Sequence, residues 1–372
     1  MERGRYGHEA ETDDPGRMSS NRAPPRVSGS RPIFAVALAL AASGCSTALD
    51  RNDLHEVRER AAFGNDRFAV VEGQNVHYVE AGEGQPVVLI PGAFSTYRAW
   101  NRVLPALAQR HRVIAIDYLG TGDSDKPRAG FEYSVAEQAD VVAGLARELG
   151  LRAPILVGVS YGSSIALNAA ARHPDLASMV VCIEGGPHIR SELLDYSSSL
   201  EVFGIPILGD LVLQSLQWGW FDRICSSAIM GHAWERLAPV EQDEIVAIQS
   251  SYFDSATRWS TYAIYRSITS EIDFTSELDK VRAPILFLYG GSSKYRAVAE
   301  ANVALLRSRP LDVETVEIED GIHDLQLQYP DLVVRLLIQH LDARPAIARI
   351  GENGSGSTAL LPRSSPRITP LH

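Results

Sequence analysis

Cysteine is scarce in this chain: Cys45, Cys182 and Cys225 are the only three in 372 residues. Three thiols cannot build a disulfide framework, and no two stand at the short spacing of a zinc site. Cys182 lies in an apolar run and Cys225 in an aromatic-rich segment, so both read as core packing. Lysine is equally scarce, limited to Lys126, Lys280 and Lys294, so arginine supplies nearly all the cations. No run of basic residues could track a phosphate backbone, and 46 acidic residues against 35 basic ones leave a net charge of -11. Both features argue against a nucleic-acid partner. No internal repeat is visible. What the chain does have is 45% hydrophobic residues, enough to bury a full core in one large domain with an insertion or in two smaller ones.

The longest early apolar run, in RPIFAVALALAASGCS (Arg31 to Ser46), follows a cationic lead-in. At roughly ten residues it is too short to cross a hydrocarbon layer of about 30 Å, and it reads as the h-region of a signal peptide. Its ending, Ala42-Ser43-Gly44-Cys45, resembles a bacterial lipobox, with Ala42 where such motifs usually carry Leu. The resemblance implies cleavage before Cys45, lipidation of its thiol, and a membrane partner at the cell envelope. Initiation at Met18 would give a signal of ordinary length, making 1–17 an upstream extension. The expected organisation is a signal over 1–44, a spacer over 45–65, a first core segment over 66–186, a helical cap over 187–275, a second core segment over 276–343 and a disordered tail over 344–372.

Within the body, FAVVEGQNVHYVEAGEG reads as a two-stranded hairpin, and PVVLIPG as a strand buried on both faces. Strand-like runs then alternate with helical patterns: a helix around Arg98 to Gln109, RVIAIDY, a helix from Ser134 to Leu149, APILVGV, a helix from Tyr161 to Arg172, SMVVCIE. Ser134 with Glu137 forms a capping box, Gly150 supplies a left-handed stop, and Pro174 ends the third helix. The expected fold is α/β, a mostly parallel sheet covered by helices on both faces. The alternation pauses for about ninety residues holding Trp218, Trp220, Trp234 and Trp259. It resumes at APILFLYG, followed by a helix near Val298 to Arg307, the strand VETVEIE and a helix from Pro330 to Leu341.

Gly158-Val159-Ser160-Tyr161-Gly162 sits between a strand and a helix, the setting of a nucleophile elbow. A serine hydroxyl needs a base, and His323, in the loop after the last strand, stands where the chain order serine, acid, histidine puts it. The other histidines have simpler readings: His77 in a strand, His173 ending a helix, and His55, His111 and His340 in solvent. His188 and His232 belong near the cap and are candidate substrate contacts.

LIPGAFSTYRAW, VIAIDYLGTGDSDKP, LVGVSYGSS and DGIHD, in this order, resemble the α/β-hydrolase fold superfamily from about Phe68 to Leu341. The arrangement is most similar to the capped haloalkane dehalogenase and epoxide hydrolase branch, whose members carry Asp where this chain has Ser160. The resemblance, with that serine, implies an acyl-enzyme rather than an alkyl-enzyme. Many relatives have the acid Asp in a G-x-x-D turn, whereas Gly290-Gly291-Ser292-Ser293 puts Ser293 there. Glu184, in VVCIEGG, matches the alternative acid position of some haloalkane dehalogenases and is the expected acid; Asp320 and Asp324 flank His323 too closely, and Asp312 is an outside candidate. The expected oxyanion donors are the N-H groups of Tyr161 and Ala93, with Pro91 where the usual turn has His. Phe94, Trp218, Trp220 and Phe221 are the expected substrate-binding residues. Met230, Phe253, Tyr262 and Tyr265 are split between that role and packing within the cap. Asp117 and Asp123 are expected to fix loops. The triad needs no metal or organic cofactor. The reading is a serine hydrolase of a small hydrophobic acyl substrate, esterase-like. An acyltransferase, a carbon-carbon bond hydrolase on the same triad, and an inactive lipid-anchored binding protein (suggested by Ser293 and Pro91) stand as alternatives.

Overall fold

Two strands joined by the tightest possible turn come first among the described residues. β1 (Asn65–Val71) and β2 (Gln74–Ala81) pair antiparallel, and the turn residues Glu72 and Gly73 both have positive φ (51° and 83°), as a two-residue turn matched to strand twist requires. The computed structural model describes residues 63–189, 198–217, 222–270, 272–343 and 367–368. The expected signal segment, Cys45, the spacer up to residue 62, Trp218, Trp220, Phe221 and most of the expected tail lie outside them.

The chain continues through β3 (Pro86–Ile90), a 3-10 turn over Tyr97–Trp100, α1 (Leu104–Leu107), β4 (Arg112–Ile116), α2 (Val135–Glu148), β5 (Ile155–Val159), α3 (Tyr161–Arg172) and β6 (Met179–Ile183). Between β6 and the next strand of the main sheet lie β7 (His188–Ile189), α4 (Leu208–Leu216), α5 (Asp222–Met230), α6 (Pro239–Ser255), α7 (Arg258–Thr269) and β8 (Ile272–Asp273). The main sheet resumes with β9 (Ile285–Gly290), α8 (Arg296–Arg307), β10 (Val313–Ile318), α9 (Leu325–Gln328) and α10 (Pro330–Ala343), and β11 (Arg367–Ile368) pairs with β10. The nine-stranded order is β1-β2-β4-β3-β5-β6-β9-β10-β11, parallel from β4 onward, with β7 and β8 forming a separate antiparallel ribbon.

Alternation of side chains along buried strands splits the core in two. Val88, Ile90, Leu156, Val180, Cys182 and Phe287 point into the cluster under α2 and α3. Their neighbours Val87, Leu89, Val157, Val181, Leu286 and Leu288 join α10 on the other face. Burial of that kind is worth roughly 1.5–3 kcal/mol for each large aliphatic side chain. Cys182 is fully buried, and burial pushes its thiol up to about 12, consistent with packing rather than reactivity.

The capping box of Ser134 and Glu137 and the left-handed Gly150 (φ 60°) bound α2 as expected. The single helix expected over Arg98 to Gln109 is instead a 3-10 turn and the one-turn α1, because Pro105 has no N-H to carry a continuous ladder. His111 and His340 are buried rather than solvated; the imidazole of His340 spans from the Leu336 carbonyl (2.6 Å) to Glu314 (3.1 Å). Among the described residues, no helix is long and apolar enough to cross a membrane.

Candidate active site

β5 ends at Val159 and α3 begins at Tyr161, so Ser160 alone turns the chain. Its φ of 53° and ψ of -121° lie where a side-chain-bearing residue is strained, at a cost of order 1–3 kcal/mol. The surroundings hold it there. The Ser160 N-H donates to the Ile183 carbonyl (2.7 Å), and the Ser160 carbonyl accepts from the Ser163 N-H (2.9 Å). Three glycines let backbone approach backbone around it. A Cβ on Gly158 would stand 2.2 Å from the Gly162 carbonyl oxygen, one on Gly162 2.4 Å from the Ile90 and Pro91 carbonyl oxygens, and one on Gly185 2.0 Å from the Ser160 carbonyl oxygen. The elbow is therefore clamped between the ends of β3 and β6.

Glu184 follows β6 directly, also with positive φ (57°), and its side chain is fully buried. Three donors converge on the carboxylate: the Gly290 N-H on Oε1 (2.5 Å), the Ser293 hydroxyl on Oε2 (2.8 Å), and His323 Nδ1 facing Oε2 at 3.3 Å. A buried charge is tolerated when it is partnered in this way. Ser293, at the position where the resemblance puts an aspartate, thus serves Glu184 as a hydrogen-bond donor, while its own oxygen accepts the Tyr295 N-H (3.2 Å). The Tyr295 ring meets the His323 ring edge-on at 4.7 Å. His323 keeps 16% of its side chain exposed. Burial disfavours its charged form, but the hydrogen bond and charge of Glu184, helped by Asp324 and opposed by Lys294, outweigh burial and raise its pKa above the ordinary imidazole value.

Ser160, Glu184 and His323 line one cavity, together with Tyr161. Among the described residues, the remaining wall is apolar: Ile189 of β7, Ile268 of α7, Ile272 of β8, Tyr295, and Val298 of α8. None of these five was singled out from sequence. Tyr161 turns its hydroxyl away to the Tyr133 carbonyl (2.8 Å) and Ser267 (3.1 Å). Its backbone N-H, in the first turn of α3, is one of those a helix leaves without an intrahelical acceptor. Ala93 and Phe94 lie in the turn after β3. Phe94 is not among the cavity's lining residues and packs edge-on against Tyr252 (5.7 Å).

The helical segment over β7 to β8 uses its aromatic residues for packing among the described residues. Met230 and Trp234 join one small cluster, Phe253 and Tyr262 another, and Trp259 donates to the Lys126 carbonyl (3.0 Å) under the Arg128 guanidinium. His232 and Arg236 pair with Asp320. His188 has its backbone bonded to Asn302, the Asn302 oxygen accepting the N-H (3.0 Å) and the Asn302 amide donating to the carbonyl (2.8 Å). Neither histidine lines the cavity. Asp117 fixes the loop after β4 by accepting from the N-H groups of Tyr97 (2.7 Å) and Asp123 (3.1 Å), and it faces the buried His77 (2.8 Å). Among the described residues, no group of three His, Cys, Asp or Glu side chains could hold a metal ion.

The sheet order, the elbow on β5 and a histidine after β10 define an α/β hydrolase. The chain belongs to the alpha/beta hydrolase fold family, whose model matches residues 85–330. It is similar to 2-(acetamidomethylene)succinate hydrolase of Mesorhizobium japonicum, 29% identical over 265 residues that cover 71% of this chain and 90% of the relative. It is also similar to a haloalkane dehalogenase of Agrobacterium fabrum, 24% identical over 304 residues, covering 77% and 96%. Among solved structures, the enol-lactonase of Burkholderia xenovorans superposes with a TM-score of 0.60 at 19% identity, covering 73% of this chain and 98% of that one; this likeness speaks for the fold alone. Family and relatives together support a hydrolase.

Proposed function

We propose that the chain is a serine hydrolase that cleaves a hydrophobic ester or related acyl compound through an acyl-enzyme on Ser160. The observation that carries the reading is the contact between His323 Nδ1 and the buried Glu184 carboxylate, at the rim of the cavity that Ser160 also lines. With Nδ1 committed to Glu184, the other ring nitrogen is left to act as base. The Ser160 oxygen attacks the acyl carbon while His323 takes the hydroxyl proton. Negative charge collects on the carbonyl oxygen, where the N-H groups of Tyr161 and Ala93 receive it, one such donor being worth roughly 3 kcal/mol. His323 passes its proton to the departing alcohol oxygen, water then attacks the acyl-enzyme with His323 again as base, and the acid leaves. Glu184 fixes the imidazole tautomer and stabilises the imidazolium in both halves.

The Ser293 hydroxyl supports this reading by donating to Glu184 from the position where the resemblance expects an aspartate. A fluorophosphonate probe tests it: Ser160 is expected to be labelled in the folded protein, and Ser160→Ala to lose both labelling and turnover of p-nitrophenyl esters. Folded protein that resists labelling, or a Ser160→Ala variant with full turnover, overturns the proposal. Lipid anchorage at Cys45 in the cell envelope belongs to the same reading, supported by the lipobox-like Ala42 to Cys45. Cys45→Ala should move the protein from the membrane to the soluble fraction, and an unchanged distribution would reject the anchor.

A further inference from the structure

The cavity beside Ser160 is narrow. The cavity volume there is about 30 Å³, small beside the roughly 300–1,000 Å³ of ordinary ligand pockets. The depression around it measures about 400 Å³ with open solvent included. The closed space is therefore small and it opens to solvent.

The narrow part has a wall that is built rather than incidental. Ile189 and Ile272 are directly opposed residues of the β7–β8 ribbon, and His188 pairs with Asp273 beside them. Asn302, itself 2% exposed, grips both backbone groups of His188 and also donates to the Val298 carbonyl (3.0 Å). A Cβ on Gly186 would strike the Asn302 side chain at 2.6 Å, so the approach to the ribbon is packed backbone against side chain. Ile268 adds the last turn of α7, four residues before Ile272, and Val298 adds the first turn of α8. All four aliphatic residues are buried. Widening the cavity thus requires moving hydrogen-bonded backbone, since β-branched side chains leave little rotamer freedom to yield.

We infer that this ribbon-walled cavity is an acyl pocket that selects short acyl groups, of acetyl to propionyl size, while the alcohol portion of the ester extends into the open depression. The inference rests on the serine-hydrolase reading above. In the acyl-enzyme the acyl carbon is bonded to the Ser160 oxygen, so the acyl group occupies space against Ser160 until water releases it. The leaving alcohol must escape, and the open side is its exit. An acyl chain of six or eight carbons has no closed space to enter and would have to lie against Ile189, Ile268 and Ile272 from outside.

The experiment measures kcat/KM for p-nitrophenyl acetate, propionate, butyrate, hexanoate and octanoate with the full chain, with Ser160→Ala, and with Ile268→Ala, Ile272→Ala and the double variant. The wild-type profile is expected to peak at acetate or propionate and to fall roughly ten- to a hundredfold by octanoate. The alanine variants should move the peak to butyrate or hexanoate while leaving the serine dependence intact. Ile272→Val, which removes one methyl group from the same wall, gives a smaller shift in the same direction and carries the test if the alanine variants do not fold. Serine-dependent turnover that favours octanoate, or variants that scale every ester equally, overturns the pocket and leaves the nucleophile standing. Turnover of no ester that depends on Ser160 overturns the reading beneath it, and the pocket with it.

Discussion

Replacing Glu184 by Gln keeps the shape of the side chain and removes its charge, which makes it the sharpest probe of the proposed triad. Two unit charges at the 3.3 Å separation of His323 and Glu184 attract by about 5 kcal/mol at an effective dielectric of ~20. That is a ceiling, because a neutral amide still attracts the imidazolium and hydrogen bonds to charged groups are worth about 1.5–3 kcal/mol net. Tautomer control adds to this: a Gln amide can present its NH2 to Nδ1 and leave the ring holding its proton on the wrong nitrogen. A loss of about 10² to 10⁴ in kcat follows, equivalent to about 3–5 kcal/mol. The pH profile carries a second, independent signature. The base form of His323 is the neutral one, and its pKa is raised above 6.5 against the opposing effect of burial by Glu184. Wild-type kcat/KM should therefore fall as pH drops through a value above 6.5. In Glu184→Gln, burial and Lys294 remain while the Glu184 contribution is gone, so the limb should move to lower pH. Steady-state rates from pH 5 to 9, with circular dichroism to confirm folding, check both. A variant within threefold of wild type whose limb does not move would falsify the assignment of Glu184.

Ser293→Ala removes one of three donors to Glu184 and should lower kcat by about tenfold, in line with a net hydrogen bond of roughly 1.5 kcal/mol; steady-state kinetics beside Ser293→Thr, which restores a hydroxyl, separate this from a packing defect. Gly185→Ala puts a methyl 2.0 Å from the Ser160 carbonyl and should cost about 1–3 kcal/mol of stability by overpacking. It should also abolish fluorophosphonate labelling; urea denaturation and labelling together read it. His77→Gln tests the buried pair with Asp117. Burial lowers the pKa of His77, but the hydrogen bond and charge of Asp117, with Asp123 and Asp66, raise it overall. Its charged form then contributes stability that is complete below pH 6.5 and is lost as pH rises through the folded value. The variant should lose about 1.5–3 kcal/mol near pH 6 and measurably less near pH 9, and an equal loss at both would reject the charged pair.

The elbow and α3 were legible in sequence because their signals are local, a buried strand, two glycines spaced around a serine and a helical period ending at His173, although the contacts that hold the elbow come from the ends of β3 and β6. Glu184 was reached through family resemblance, and its placement by Gly290 and Ser293 joins residues 106 and 109 positions away, beyond any local pattern. The cavity walls were not foreseen for a related reason. β7 and β8 have two residues each, too few to show a period of two, and Ile189 meets Ile272 only after the intervening helices fold. The aromatic residues of the helical segment had two readings from sequence, substrate contact or packing, and Trp234 and Trp259 pack: they hold the segment together and to the core. Pro105 was the available signal that the helix after β3 must break.

The clamp around Ser160 divides the labour of alignment unequally. Serine and glutamate follow neighbouring strands whose ends are joined by the hydrogen bond from the Ser160 N-H to the Ile183 carbonyl. The imidazole hangs from the turn after β10, with β9 in between, and that turn is tied outward to His232 and Arg236 through Asp320. The position of the histidine is therefore coupled to the helical segment through Asp320, whereas that of the serine is set within the sheet.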